Sequence, residues 1–313
     1  MKPSQPLRVD FEDGVASFVT RRIRNSQLVY AHPAIQDRVL GSLGKYVHKF
    51  NVTVYAFCFF GSHDHGLFDF ETATKTPFFR DFGARTAEAI KKHIPEFGGG
   101  SVLEKRTSEQ AVPQDAEGYL NQMMYILLQP VAAGLCKKPS DYPGFSCLRH
   151  LVTGKPLEVE FLNYEKYNKA RARKKDVDRS RYVEKYTINF ARIPGCENMT
   201  QKEYGAFIMR TFNERLKELL AQFEKASYVW PRLEIVRRTK PTECARNPKK
   251  SERGVAQPLV ICKCPVRSKQ YLEWYFAIVE RYKRASAKYL AGDRDAEFPP
   301  GTNKPPGPFV YPT

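Results

Sequence analysis

The 313-residue chain lacks any apolar run approaching the ~20 residues that a membrane-spanning helix needs. It also lacks the apolar segment of a secretory signal peptide near its first residues. Both absences argue against a membrane-embedded protein. We therefore expect a soluble, intracellular protein of the cytoplasm.

Cysteines are few, and their spacing excludes a disulfide framework. The chain has seven, an odd number, with no CxxC pair, which is typical of reduced thiols in a cytosol. Cys262 and Cys264 are the nearest pair, on alternate positions of a probable strand. A soft-metal site there is one alternative, but no second close pair of Cys or His accompanies it.

Acidic residues are also in deficit. Against 51 Lys and Arg there are only 34 Asp and Glu, a formal net charge of +17. Such an excess favours a polyanionic partner, with nucleic acid as the first candidate and a membrane surface as the second. Most of the excess lies after residue 155.

The first half of the chain alternates strand and helix patterns. A strand is predicted at 14–25, a helix from Pro33 to about Phe50, and one long strand over 52–70, broken or bulged at Gly61. Thr76 and Pro77 predict the start of a helix to about His93, followed by a short strand at 101–106 and a helix from about Asp115 to Pro130. This order predicts an α+β fold with helices on an antiparallel sheet.

The second half differs in composition. We divide the chain into a catalytic domain at 1–155, a basic linker or arm at 156–185, a mainly helical accessory DNA-binding region at 186–297 and a Pro-rich tail at 298–313. Thr200 and Glu203 predict a capping box at the start of a helix, and a second long helix is predicted from Ser268 to Leu290.

Two histidines stand one residue apart in "FFGSHDHGLFDF". Side chains alternate along a strand, so His63 and His65 project to one face, with Phe57 and Phe59 expected on that face, and Asp64 projects to the other. The pair is either polar residues on a solvated face or half of a metal site.

The helix before Pro130 offers the other half. Tyr125 and Gln129 are four residues apart and share one helix face. If that face packs over the strand, Gln129 supplies an amide oxygen as third ligand and Tyr125 presents its hydroxyl beside the ion. The alternative is an ordinary amphipathic tyrosine among aliphatic neighbours.

These segments resemble a known family. "SHDHGLF" is similar to the HUH strand of single-tyrosine transposases, and "YILLQPVAAGLCKKPSDYPGFS" resembles the "YIxxNPVRAGLV…DYPWSS" signature of the REP-associated tyrosine transposases, in the IS200-like family. With "FVTRRIRN" and the helix from Pro77, the resemblance covers about residues 10–155.

The resemblance implies a ferredoxin-like HUH endonuclease core and metal-dependent cleavage of single-stranded DNA beside a hairpin. It implies Tyr125 as the nucleophile, His63, His65 and Gln129 as ligands of Mg²⁺ or Mn²⁺, and a 5′-phosphotyrosine intermediate that permits strand transfer. Relatives with this signature favour a monomer over a homodimer, and a DNA partner implies association with the nucleoid.

The sequence departs from the family pattern at three places. Asp64 replaces an apolar residue, Gly61-Ser62 replaces a common Pro-Asn, and Ala132 stands where the signature has Arg. For Asp64, two interpretations stay open: it lies at a bulge and helps to hold the ion, or it marks a solvated far face of the strand.

Several basic residues are candidates for contacting the DNA backbone. They fall in the first strand and its neighbour (Arg21, Arg22, Arg24, Lys105, Arg106) and in the basic arm (Lys169, Arg171, Arg173, Lys174, Lys175). The alternative to an active transposase-like enzyme is a domesticated protein that binds a DNA sequence or hairpin without cleaving it. A third alternative is a structural metal protein in which the histidines brace the fold.

Overall fold

A computed structural model describes residues 7, 9, 15–71, 73–97, 100–104, 107–174, 176–244 and 258–307. Three candidate DNA contacts, Lys105, Arg106 and Lys175, lie outside these residues. Within the described ranges, no helix has the length and apolar character needed to cross a membrane.

The core is a five-stranded antiparallel sheet. Its strands are β1 (Val15–Arg22), β2 (Thr53–Phe60), β3 (His63–Asp69), β4 (Ser108–Pro113) and β5 (Phe145–Ser146), in the spatial order β4-β1-β3-β2-β5. Helix α1 (Pro33–Lys49) connects β1 to β2, and α2 (Lys75–His93) connects β3 to β4. This βαββαβ order is that of a ferredoxin-like fold, so the predicted fold class is confirmed.

The segment expected as one long strand is a hairpin. Gly61 has a φ of +43°, which a glycine adopts without steric cost, and the chain reverses at Gly61-Ser62 between β2 and β3. Phe59 is directly opposite Asp64, and Phe57 is opposite Gly66. Both phenylalanines therefore lie on the face of Asp64, and the expectation that they share the histidine face was wrong.

The two faces of the sheet have separate cores. Helices α1 and α2 cover the face that carries Phe57 and Phe59. Helix α3 (Ala116–Ala132) covers the opposite face, which carries Phe18 and Cys58. Pro130 lies in the last turn of α3, so the backbone hydrogen bond that it cannot donate is lost near the end of the helix and not in its middle.

The expected strand at 101–106 is instead found at β4, after an isolated bridge between Leu103 and Ile23. The expected start of α2 is also shifted, because the helix begins at Lys75 with Thr74 as its N-cap. The polar residues at 104–107 show little hydrophobic periodicity, so the sequence pattern placed the start of this strand several residues too early.

The basic arm is folded rather than an irregular linker. After α4 (Leu148–Thr153), strands β6 (Leu157–Leu162) and β7 (Val183–Ile188) form a two-stranded antiparallel sheet, with α5 (Tyr164–Arg173) between them. The pair packs on α1, where the absence of a side chain at Gly41 lets the backbone of Glu160 approach. The domain boundaries themselves stay a prediction.

The remaining described chain is mainly helical. Helix α6 (Gln201–Lys225) begins with the predicted capping box, in which Thr200 and Glu203 bond each other's backbone N–H groups. Helix α7 (Leu233–Arg238) follows, then α8 (Pro265–Leu290), close to the predicted second long helix. Helix α6 packs on α4 and on α3, the helix that carries Tyr125 and is called the tyrosine helix below.

Candidate active site

The two histidines lie side by side on β3. Their ring centroids are 4.8 Å apart and the ring planes are nearly perpendicular, at 86°. The alternation of the strand determines this arrangement, because His63 and His65 point to the same face.

One nitrogen of His65 is held and the other is unsatisfied. The Thr20 hydroxyl and His65 Nδ1 are 2.8 Å apart, and the two residues are directly opposite each other in the β1–β3 register. The Nε2 atom is buried and has no hydrogen-bond partner among the residues that the structure describes. An imidazole oriented through one nitrogen with the other lone pair free has the form of a metal ligand.

Both imidazoles are neutral at physiological pH. Burial, together with the charge of Arg22 opposite it on β1, lowers the pKa of His63 to about 4. Burial also lowers the pKa of His65 well below its usual value, with His63 and Arg22 adding to the effect. Neutral imidazoles offer the lone pairs that a cation requires.

Tyr125 lies against this pair. Its ring centroid is 5.3 Å from that of His65, at 78°, and 5.6 Å from that of Phe18, at 84°. Phe18 stacks in turn on His65, with centroids 5.7 Å apart. The tyrosine ring is 47% exposed although it projects from a helix full of buried residues, so its hydroxyl is open to a ligand.

Gln129 follows one turn later on α3 and is buried at the end of the helix. The structure thus brings the His65 ring into contact with the rings of both His63 and Tyr125, and Gln129 is on the same helix as Tyr125. The assignment of Gln129 as a ligand stays a prediction.

Two imidazoles and one amide oxygen could hold a divalent cation with an incomplete protein shell. Nowhere in the described part of the chain do three His, Cys, Asp or Glu residues form a group able to hold a metal. Two neutral imidazoles, with one buried free nitrogen, and an amide oxygen would leave coordination positions for oxygens of a substrate. The Cys262 thiol donates instead to Asp115 Oδ2 at 3.6 Å and to the Cys264 carbonyl at 3.4 Å, so these contacts are structural.

Asp64 belongs to a buried ion pair on the other face of the sheet. Arg21 Nε and Nη2 each donate to this carboxylate at 2.9 Å, and the Tyr30 hydroxyl donates to it at 2.7 Å. Both open interpretations of Asp64 were wrong: it neither points toward the histidines nor meets solvent, since it is 6% exposed.

The same contact corrects the role predicted for Arg21. Its side chain is 3% exposed and its guanidinium lies 3.9 Å from the centroid of the Phe82 ring, so it is not on the surface to meet a phosphate. Burial by itself lowers the pKa of Arg21, but Asp64 outweighs burial, and the pKa is raised. The opposite charges were visible in the sequence, but their register across two strands was not.

The other described basic candidates are exposed. Arg22 and Arg24 lie at the end of β1, and Lys169, Arg171, Arg173 and Lys174 lie on or just after α5. Lys169 pairs with Glu165 at 2.7 Å. Because α5 belongs to the unit that packs on α1, the basic arm and Tyr125 are on opposite sides of the central sheet.

A cleft lies in the groove between α3 and α6, with Tyr125 near the middle of its α3 wall. Its volume is about 470 Å³. Its walls are Glu117, Asn121, Met124, Tyr125, Leu128 and Ala132 of α3, with Arg215, Glu218, Leu219 and Gln222 of α6, and Lys263. Sequence patterns did not reveal this cleft, because the second wall comes from a helix ninety residues further along the chain.

Comparison with known proteins gave limited matches. No protein-family model matches the chain, and no curated protein matches it. A solved structure described as the REP-associated tyrosine transposase bound to a REP hairpin is similar over 49% of this chain and 86% of its own, with 21% identity and a TM-score of 0.39. At that TM-score the likeness carries no argument about function.

Proposed function

We propose that this chain is a metal-dependent, single-stranded DNA endonuclease and strand transferase with a tyrosine nucleophile. The observation that carries the proposal is the contact between an exposed tyrosine and the buried His65, which is one of two adjacent neutral histidines. The Tyr125 ring lies 5.3 Å from His65, whose Nε2 is free, and His65 lies 4.8 Å from His63.

Each residue has a role that its position allows. His63, His65 and Gln129 would hold Mg²⁺ or Mn²⁺, and the ion would supply charge stabilisation for a bound phosphate. Thr20 fixes the orientation of His65 through Nδ1, so Nε2 is the nitrogen available for coordination. Phe18 packs against both the His65 and Tyr125 rings and limits their movement.

Tyr125 would perform the covalent step. Its hydroxyl oxygen attacks the phosphorus, the bond from phosphorus to the 3′-oxygen breaks, and a 5′-phosphotyrosine forms. The phenolic proton leaves to solvent, which the exposed ring meets, and the released 3′-oxygen takes up a proton. A DNA 3′-hydroxyl reverses the step, because the covalent link retains a phosphodiester.

The resemblance of "SHDHGLF" and "YILLQPVAAG" to the REP-associated tyrosine transposases supports the same chemistry and suggests hairpin-bearing single strands as the substrate. Both motifs lie in the part of the chain that forms the ferredoxin-like core and α3. The positive charge of +17 is suited to a nucleic acid.

The test is a covalent adduct. The protein is incubated with end-labelled hairpin oligonucleotides and Mn²⁺, denatured and resolved by electrophoresis. We expect a labelled band that survives denaturation, disappears with EDTA and is lost in Tyr125→Phe.

Tyr282→Phe is the matched control, since it removes a hydroxyl on α8 and should leave the adduct intact. Adduct formation by Tyr125→Phe would refute the nucleophile. Intact DNA binding with no adduct on any hairpin would favour the non-catalytic DNA-binding alternative.

A further inference from the structure

An aromatic cluster stands next to one end of the cleft between α3 and α6, where Ala132 and Gln222 form the walls. Phe223, Tyr228 and Trp230 contact one another, with ring centroids 4.8 to 5.3 Å apart. The cluster forms because α6 ends at Lys225 and the chain turns back at Ser227, which has a φ of +49°. The turn folds Tyr228 and Trp230 onto Phe223.

This cluster is joined to the tyrosine helix. The Tyr228 hydroxyl donates to the carbonyl of Gly134, two residues after α3 ends, at 3.0 Å. A Cβ at Gly134 would lie 2.5 Å from that hydroxyl, so the glycine is needed for the contact. On the other wall, Phe223 is four residues after Leu219, which lines the cleft, and shares its helix face.

The cluster is partly open to solvent. Tyr228 is 42% exposed, and Tyr125, near the middle of the cleft, is 47% exposed. These are two of the few large hydrophobic side chains exposed in the described part of the chain. An aromatic surface that does not complete a core is typical of a binding site.

Spacing and the exposed lysines next to the cluster point to the occupant. The cleft walls carry two basic residues, Arg215 and Lys263, and two acidic ones, Glu117 and Glu218, so their formal charges balance, whereas Lys137 and Lys138 are exposed just beyond Gly134. Basic grooves with aromatic side chains bind single strands, because every base has a face that stacks on an aromatic ring. From Tyr125 to Ala132 the helix rises about 10 Å, which matches about three nucleotides stacked at 3.4 Å.

We propose that Phe223, Tyr228 and Trp230 form a stacking platform that binds bases of the single strand a few nucleotides from the phosphate at Tyr125. The inference rests on the proposed function, since it takes a strand at Tyr125 as given. The platform sets the position of the strand and takes no part in the covalent step.

Tryptophan emission tests the platform without cleavage. The chain has two tryptophans, Trp230 and Trp274. Wild type and Trp230→Phe are titrated with unlabelled oligo(dT) in EDTA, where no cleavage occurs. Stacking should quench the emission of wild type saturably and leave that of Trp230→Phe, which reports Trp274 only, unchanged.

Binding strength gives the second measurement. In a Tyr125→Phe background, Trp230→Ala should weaken oligo(dT) binding about 10-fold, within the range measured for one stacked base. Trp274→Phe, on α8, should bind as the background does. Circular dichroism and a denaturation midpoint for each variant separate a weakened platform from impaired folding.

The outcomes distinguish the two proposals. Quenching without a covalent adduct would refute the chemistry proposed for Tyr125 and support the platform. An adduct without quenching, strand binding that Trp230→Ala does not weaken, or no binding of oligo(dT) at all would overturn the platform.

Discussion

Replacing Asp64 with asparagine should destabilise the protein strongly, although Asp64 is outside the candidate active site. The substitution preserves shape but removes the negative charge that Arg21 contacts through two hydrogen bonds of 2.9 Å. The guanidinium would stay buried, at 3% exposure, with no counter-charge in contact.

The magnitude follows from that burial. Removing one partner of a buried ion pair costs about 3–5 kcal/mol, because the remaining charge is desolvated without compensation. The Arg21 Nη1 atom already lacks a hydrogen-bond partner within the described part of the chain, and the guanidinium lies against the Phe82 ring, which cannot replace the lost charge. Asparagine has one acceptor oxygen in place of two, so either the Tyr30 hydroxyl, which donates to Asp64 Oδ2 at 2.7 Å, or Arg21 Nε, which donates to Oδ1, would lose its acceptor.

Urea denaturation followed by intrinsic fluorescence and circular dichroism measures the effect. We expect Asp64→Asn to lower the free energy of unfolding by about 3–5 kcal/mol. The triple variant Arg21→Met, Tyr30→Phe, Asp64→Leu should recover much of the loss, because it leaves no buried polar group unpaired.

The exposed pair Lys169–Glu165 provides the control, and Glu165→Gln should leave the urea midpoint unchanged. A loss below about 1 kcal/mol in Asp64→Asn would refute the reasoning, since it would mean that water reaches Arg21. A triple variant as unstable as the single variant would also refute it, because packing rather than charge would then dominate.

Three other perturbations test separate features. In the metal-free protein, the free energy of unfolding should fall as pH is lowered from about 6.5 to about 4, because the pKa of His63 is about 4 in the folded protein and about 6.5 in the unfolded chain. Urea midpoints measured at a series of pH values should therefore depend less steeply on pH in His63→Gln than in wild type. An equal pH dependence would contradict this. The double variant Arg171→Glu, Arg173→Glu should bind DNA more weakly, as measured by fluorescence anisotropy. The slope of log affinity against log salt should fall by about 1 for each phosphate that the variant no longer binds. An unchanged slope would exclude the basic arm from the interface. Gly41→Ala should place a methyl group against the backbone of Glu160 and detach the β6–β7 unit, so limited proteolysis should cut within 156–188 sooner than in wild type. Gly83→Ala is the matched control, because its Cβ would meet Leu103 at an ordinary 3.5 Å. Equal cleavage rates for Gly41→Ala and wild type would contradict the packing.

The sequence alone predicted the features that depend on local periodicity. The alternation in β3 determines that His63 and His65 share a face, and the helical repeat determines that Tyr125 and Gln129 do. The capping box at Thr200 and Glu203 was likewise predictable, because its partners are three residues apart.

Features that depend on contacts between distant segments needed the tertiary structure. The turn at Gly61-Ser62 depends on the positive φ of Gly61. Because the sequence pattern did not predict this turn, Phe57 and Phe59 of β2 were assigned to the wrong face of the sheet. The role of Asp64 depends on a register that sets Arg21 opposite it, forty-three residues earlier in the chain. Spacing along one segment cannot reveal such a pairing.

The position of the second half of the chain was likewise decided by packing. Composition alone indicated a charged arm at 156–185. In the structure its strands pair with each other and pack on α1 through alternating apolar residues such as Val159 and Phe161. Helix α6 buries one face against α3, and that contact creates the cleft beside Tyr125. Local sequence thus determined which chemical groups the chain carries and which face they share, whereas long-range burial of apolar surface decided which groups meet.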